Sequence, residues 1–272
     1  MPELPEVETT IRYLTSKVNG KKILSIQKSS KKLRKNLNHL QLDFITGKTI
    51  KKVWRIAKYI IIEIQNQKYL VIHLGMSGRL KYFEKNKYLS EKHDHVLLTF
   101  DKFLVVFNDP RRFGMFFMLE SNLDLTNFFQ HYGVDLLQDQ YSAADIHQQL
   151  VNKKISLKQA LLDQSIFVGI GNIYANEALF HARLDPRRLT NTLKKEEVLR
   201  LIRSSIHVLK LSLKNGGSSI NDYKSPDGTL GSFQNFFRVY QKSEINFNKR
   251  TFPIKKIVQN GRSTFFSPTL QK

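Results

Sequence analysis

Met1-Pro2-Glu3-Leu4-Pro5-Glu6-Val7-Glu8 opens the chain, and its reading governs the rest. Proline suits the first turn of a helix and carboxylates favour the positive end of its dipole, so Pro5, Glu6 and Glu8 read as a helix start. The run from Val7 to Val18 carries that helix onward, and Asn19-Gly20 stops it. Removal of Met1 would also leave Pro2 with a free secondary amine. Such an amine attacks a sugar C1′ and forms an iminium, and Glu3 stands one residue away to pass protons. The plainer alternative is that Pro-Glu-x-Pro-Glu merely caps a surface helix.

The 272 residues carry 44 Lys and Arg against 23 Asp and Glu, a net charge of +21. A charge that large points to a polyanionic partner: DNA, RNA or an anionic membrane surface. A hydrophobic content of 41% with 11% aromatics argues against a disordered basic tail, and the length suggests about two domains. No apolar run approaches a membrane span and no basic-then-apolar leader opens the chain, so a soluble intracellular protein is expected. There is no cysteine, which excludes disulfides and thiolate zinc sites. His93-x-His95 is the one close histidine pair and reads as a polar strand face more readily than as a metal site.

Short β-branched or aromatic segments at 23–26, 49–53, 59–64, 69–73, 96–100 and 103–107 read as strands, with hairpin tips at 65–67 and 101–102. Strands without intervening helices suggest a sandwich or barrel. The very basic residues 29–35 read as a loop or strand edge, for which solvation alone is a sufficient account. Lys58 interrupts an apolar strand, where a lysine usually snorkels outward. Around Met76, Gly75 and Gly78 permit a sharp turn that presents an apolar side chain, or simply ends a strand. Asn108-Asp109-Pro110-Arg111-Arg112-Phe113-Gly114 sets two arginines beside a ring, combining phosphate contact with a wedge between bases.

Residues 131–139 lack periodicity and read as a linker, after which the pattern turns helical. Ser142 caps 143–151, Ser156 caps 157–163, and 195–213 is a long amphipathic helix ending at Asn215-Gly216-Gly217. Gly169 and Gly171 precede a helix and expose backbone N–H groups to an anion, although no nucleotide fingerprint is present. Residues 218–233, rich in Ser, Asp, Gly and Pro, read as a mobile or functional loop.

MPELPEVET, Ala57-Lys58-Tyr59, His73-Leu74-Gly75-Met76, DPRRFG at 109–114 and GIGNIYANE at 169–177 together resemble the formamidopyrimidine-DNA glycosylase family of base-excision repair enzymes. The resemblance implies an α+β fold: an N-terminal β-sandwich with a leading helix, then a helix–two-turns–helix domain and a β-hairpin finger. The boundaries expected are 1–131, a linker at 132–139, 140–228 and 229–272. It implies a bifunctional DNA glycosylase/AP lyase that excises oxidised purines (8-oxoguanine and formamidopyrimidines) through a Pro2 Schiff base and β,δ-elimination. The Leu4 and Val7-Glu8 form of the N-terminus and the DPRRFG wedge favour this purine branch over the endonuclease VIII branch, which prefers oxidised pyrimidines.

By the same resemblance Pro2, Glu3, Lys58 and Arg262 are catalytic. Met76, Arg111 and Phe113 fill the gap left by an extruded base, Arg112, Lys153 and Asn172 hold phosphates, His73 and His93 contact DNA, and Glu177 braces the element. Most of the family carries four zinc-binding cysteines where this chain has Phe247, Arg250, Ser267 and Leu270, so a zincless finger is expected, packed through Phe247, Phe252, Phe265, Phe266 and Leu270. The expected partner is double-stranded DNA with an oxidised base, bound by a bacterial, cytoplasmic, nucleoid-associated monomer with no cofactor and no membrane. A non-catalytic damage-binding protein and a generic basic RNA-binding protein remain as alternatives.

Overall fold

The structure, a computed structural model, describes residues 2–35, 37, 40–220 and 223–272. Met1, and Asn221 and Asp222 of the 218–233 loop, lie outside the described residues. The chain sorts into two compact units, one of residues 1–130 with 215–232, the other of 131–214 with 233–272.

In the first unit, α1 (Leu4–Val18) buries Leu4, Val7, Ile11, Leu14 and Val18, the spacing of one helical face. Glu3 is its N-cap and shares a reciprocal capping box with Glu6, while Pro5 stands in the first turn. Gly20, at φ 73°, ends the helix as Asn19-Gly20 suggested. Two antiparallel four-stranded sheets follow. One has the order β1 (Ser25–Lys28), β6 (Asp94–Thr99), β7 (Phe103–Asn108), β5 (Arg79–Glu84). The other has the order β2 (Ile50–Ile56), β3 (Tyr59–Ile64), β4 (Lys68–His73), β8 (Met115–Leu119). Val96, Val105 and Phe107 of the first sheet share a single core with Ile60, Ile62 and Ile72 of the second and with Val7 and Ile11 of α1. This is the β-sandwich with a leading helix. A further short helix, α2 (Leu42–Ile45), follows β1, and α3 (Asn122–Phe129) follows β8. Strand β3 is buried on nearly its whole length, and α3 sets Phe129 against its first residue, Tyr59, at 5.2 Å.

The second unit holds α4 (Ala143–Lys153), α5 (Leu157–Leu162), α6 (Asn172–His181) and α7 (Lys195–Lys214). Ser142 and Ser156 cap α4 and α5 by accepting from Asp145 N and Gln159 N. Helix α6 is buried from Ile173 to Phe180, so it is the centre of the unit. The finger-like region is two successive antiparallel hairpins, β9 (Glu244–Phe247) with β10 (Arg250–Pro253) and β11 (Lys255–Gln259) with β12 (Arg262–Phe266). The segment 131–139 pairs with the turn before α6: Gly133 N donates to Gln164 O at 2.8 Å and Val134 N to Ile166 O at 2.9 Å. Residues 215–232 cluster with the first unit although α7 and β9, on either side in sequence, belong to the second. A linear reading has no means of seeing that return. No helix among the described residues is long and apolar enough to cross a membrane.

Candidate active site and nucleic-acid interface

Pro2 is buried directly ahead of α1, and Glu3 beside it is 2% exposed. Glu3 N donates to Glu6 Oε2 at 2.8 Å, and the other Glu6 oxygen accepts from Ser218 N at 2.8 Å. Gly217, at φ 81°, brings the loop backbone onto that carboxylate, since a Cβ there would meet Glu6 Oε1 at 3.0 Å. Tyr223 Oη donates to Glu6 O at 2.8 Å. Burial, opposed in part by the contact with Thr10, raises the Tyr223 phenol well above its usual range. One carboxylate thus ties the 215–232 loop to the backbone of the expected catalytic pair. The sequence assigned no residue in that loop; the acid three residues after Glu3 was read only as a helix-start signal.

Lys58 departs from the expectation of a strand position. Ile56 pairs with Tyr59, so Ala57 and Lys58 form a two-residue turn between β2 and β3. Ala57 takes φ 53°, a left-handed geometry that costs energy without glycine. The buried Arg55 holds it there, with Nη1 donating to Ala57 O at 3.0 Å and Nε to Glu8 Oε2 at 3.1 Å. Lys58 is buried at this tip.

His73 ends β4, where its ring lies 4.7 Å from that of Tyr59. Burial first, then the charges of Lys58 and Arg34, pushes its imidazole down to about 4. The ring is therefore neutral at pH 7, with Nδ1 accepting from Gly75 N at 3.0 Å. Because the folded value lies below the ordinary 6.5, the unfolded chain binds more protons between the two. The stability this neutral ring confers is complete above about pH 6.5 and is lost as pH falls toward 4, by about 1.4 kcal/mol per unit. A His73→Gln variant is expected to show a stability profile flatter by one proton across that window, read by thermal melts. An unchanged slope would contradict it.

The Met76 turn and the 109–114 loop press together. Gly75, at φ 64°, leaves no room for a Cβ, which would lie 2.5 Å from the Phe113 carbonyl carbon. Asp109, fully buried, organises both: its carboxylate accepts from Ser77 Oγ at 2.6 Å and Gly114 N at 2.7 Å. Ser77 Oγ in turn accepts from Arg111 N at 3.1 Å. The result exposes Met76 and Phe113, at 38% and 46%, beside the exposed Arg111 and Arg112, with the Arg111 guanidinium 5.0 Å from the Phe113 ring centre. Apolar tips with cations beside them suit insertion into a stacked polyanion. Asp109 was quoted in the motif but given no role. His93 is half-buried and its carbonyl accepts from Asp109 N at 3.0 Å. His95 is not on a polar face but buried, its ring nitrogens bonded to Ser29 Oγ and Asp109 O, both at 3.0 Å.

In the second unit Asn172 opens α6 and donates from Nδ2 to Ser263 O at 3.0 Å. Its Oδ1 has no hydrogen-bond partner among the described residues. Gln164 holds the approach to α6, donating to Ile170 O at 3.1 Å and accepting from Gly169 N at 2.9 Å. Lys153, expected against DNA, pairs with Asp163 at 2.8 Å and donates to Ser165 Oγ at 3.1 Å. Arg262 is exposed at the start of β12, after a turn with Asn260 and Gly261 at φ 48° and 70°. The next residues dock its strand. Ser263 O also accepts from the buried Lys158 Nζ at 2.7 Å, Thr264 Oγ1 from the same ammonium at 2.6 Å, and Asn176 Oδ1 from Phe265 N at 2.7 Å. Glu177, 1% exposed, accepts from Arg238 N, Val239 N and Tyr240 N at 2.8, 3.0 and 2.8 Å.

The four positions aligned with the zinc ligands do not fit a metal. Phe247 carries the Arg183 guanidinium 4.2 Å from its ring centre, and Leu270 packs against a cluster of Phe180, Val239, Ile245 and Phe265. Arg250 is exposed and Ser267 Oγ is buried without a partner among the described residues. Of the expected packing, Phe252, Phe265 and Leu270 join this cluster, whereas Phe266 is buried with Arg187 4.9 Å from its ring. The expected site residues therefore stand on both units, Pro2, Glu3, Lys58, His73, Met76, His93, Arg111, Arg112 and Phe113 on the first and Lys153, Asn172 and Arg262 on the second.

Comparison with known proteins bears on this arrangement. The formamidopyrimidine-DNA glycosylase N-terminal domain matches residues 1–116, and the H2TH domain of the same enzymes matches 132–224. A formamidopyrimidine-DNA glycosylase of Wolbachia sp. subsp. Drosophila simulans is 39% identical over 272 residues, covering the whole of both chains. One from Zymomonas mobilis is 38% identical over the full length of both. Among solved structures, a complex of a Lactococcus lactis Fpg mutant with DNA containing Fapy-dG superposes with a TM-score of 0.91 at 32% identity and full coverage of both chains. Lactococcus lactis Fpg with DNA containing an abasic site gives 0.90, at 32% identity and 99% coverage of each chain. Matched at both of its folded halves and aligned end to end with these enzymes, the chain belongs to the formamidopyrimidine-DNA glycosylase family, DNA glycosylases of base-excision repair.

Proposed function

We propose that the protein is a bifunctional DNA glycosylase/AP lyase that removes oxidised purines from duplex DNA with Pro2 as nucleophile. The observation that carries the reading is Pro2 buried at the positive end of α1, next to a buried Glu3. The helix dipole disfavours a protonated ammonium there, which keeps the amine lone pair available. Pro2 N attacks C1′ and the bond to the base breaks. The damaged base leaves with a proton, and opening of the sugar ring gives the iminium. Loss of a C2′ proton then expels the 3′ phosphate, a second elimination expels the 5′ phosphate, and hydrolysis of the iminium frees Pro2. Glu3 moves the protons, while Lys58 and Arg262 hold the flanking phosphates. Arg111, Phe113 and Met76 fill the space of the extruded base. Asn172 and Arg112 hold backbone phosphate, with His73 and His93 as further DNA contacts; Lys153 reaches DNA on release from Asp163. The relatives from Lactococcus lactis bound to Fapy-dG and abasic DNA support such a substrate.

The protein acts in this reading as a cytoplasmic, nucleoid-associated monomer without cofactor. Borohydride trapping on an 8-oxoguanine duplex, with the N-terminal mass measured on the same sample, tests it. A covalent adduct from protein beginning at Pro2 is expected; tight lesion binding with no adduct would favour a damage-binding protein. Chelator treatment is expected to leave activity unchanged. Activity lost to chelator and restored by added zinc would reveal a His/carboxylate site.

A further inference from the structure

On α7, Arg200, Arg203, His207, Lys210 and Lys214 recur at intervals of three and four residues. At 100° per residue they fall within an arc of about 80°, a single ridge some 21 Å long. All five are exposed. The opposite face, with Val198, Leu201, Ile202, Val208 and Leu209, is the one that packs into the unit. Beyond Glu196 and Glu197 in the first turn, the helix carries no carboxylate. Among the described residues Arg203, His207, Lys210 and Lys214 have no ion pair, whereas Lys153, Arg187 and Arg188 of the same unit each have one. Like charges spaced this way disfavour a helix, so the ridge is not there for the stability of α7.

The ridge borders a cleft of about 390 Å³ lined by His181, Glu196, Arg200, Arg203, Ser204 and His207. His181 in it is neutral at pH 7, since burial first, then His207, Arg238 and Arg183, lowers it to about 4. His181 is the last residue of α6 and Asn172 the first, so the cleft lies about 14 Å along the helix from the phosphate contact proposed at Asn172.

We infer that this face of α7 is a second polyanion site, one that takes the sugar–phosphate backbone of a nucleic-acid duplex other than the one being repaired. A straight ridge of Arg200, Arg203, Lys210 and Lys214 with His207 between them, and no carboxylate beyond the Glu197 that pairs with Arg200 at its start, complements the continuous charge of a phosphate backbone, one per ~1.7 Å of duplex axis, and about six base pairs match its length. Contact with two duplexes would let the enzyme pass from one DNA segment to another without release into solution. The inference rests on the DNA-binding part of the proposed function, not on its chemistry.

The test saturates the full-length protein with a short abasic-analogue duplex and titrates a second, differently labelled, undamaged duplex, following coincidence of the two labels. A complex containing both duplexes is expected. In an Arg203→Gln/Lys210→Gln/Lys214→Gln variant, the salt slope of second-duplex binding is expected to fall by about 3, and excision on a separate short 8-oxoguanine duplex to stay unchanged. An Arg203→Lys/Lys210→Arg variant keeps the charges and should keep the second duplex. Occupancy by one duplex only, or a slope untouched by the neutral variant, would overturn the inference. So would displacement of the second duplex by polyglutamate at equal charge, which would assign the face to an acidic protein. Failure of the catalytic reading would show separately, as no excision on the short 8-oxoguanine duplex despite an intact second site.

Discussion

Pro2→Gly is expected to slow excision of 8-oxoguanine by on the order of 10³-fold or more. Two effects combine. The secondary amine that gives an iminium is replaced by a primary one, and the pyrrolidine ring that fixes the nitrogen's direction at the start of α1 is lost. Because a primary amine still condenses with an open sugar aldehyde, cleavage of a preformed abasic site should survive in part. A short extension before Pro2 should abolish both reactions, since the nitrogen becomes an amide without a basic lone pair. The decisive comparison is single-turnover excision against abasic-site cleavage, with the N-terminal mass of each protein in hand. Full excision by the extended protein would eliminate Pro2 as nucleophile.

Glu177→Ala is expected to have the largest effect on stability, about 3–5 kcal/mol, because it strands three N–H donors, the buried one of Val239 and the part-buried ones of Arg238 and Tyr240. Burial raises the Glu177 carboxyl above its usual range despite those bonds, so the site is costly even when filled. The melting temperature should fall by roughly 10 °C. Glu177→Gln should lie between, since an amide offers one acceptor oxygen to three donors and turns an NH₂ toward them. A melting point within a degree or so of the native protein for the alanine variant would show that the 238–240 turn finds other partners.

The core of the fold was legible wherever one physical rule acted alone. Strand β3 was placed at its observed bounds, and Ser142 and Ser156 cap the helices they were expected to cap. The strands that went unread are β5 and β8; in β5, Arg79-Leu80-Lys81-Tyr82-Phe83-Glu84, charged residues break the apolar pattern. Helix α3 was missed for its length of 8 residues, too short to establish a period. Lys58 was misread because Ile56-Ala57-Lys58-Tyr59 contains no glycine to announce a turn; the energy that holds Ala57 left-handed comes from Arg55, a partner outside the motif. Among the site residues, those carrying the expected chemistry stood in recognisable strings. Those that hold them did not: Asp109, Gln164 and Lys158 act through tertiary contacts, and the roles of Ser218 and Tyr223 depend on a loop that belongs to a unit distant from it in sequence.

Lys158, Asn172, Asn176 and Glu177 hold the strand of Arg262 and the turn before β9 with an ammonium, two amides and a carboxylate. None of these groups is open to the stepwise oxidation that takes a thiolate to sulfenic and sulfinic acid, and the chain has no cysteine in which that sequence could begin. In the chain beginning at Pro2, three methionines (Met76, Met115 and Met118) remain as sulfur sites for peroxide, and the Arg262 strand is fastened by none of them. A finger built in this way keeps its shape under the same oxidants that generate damaged purines.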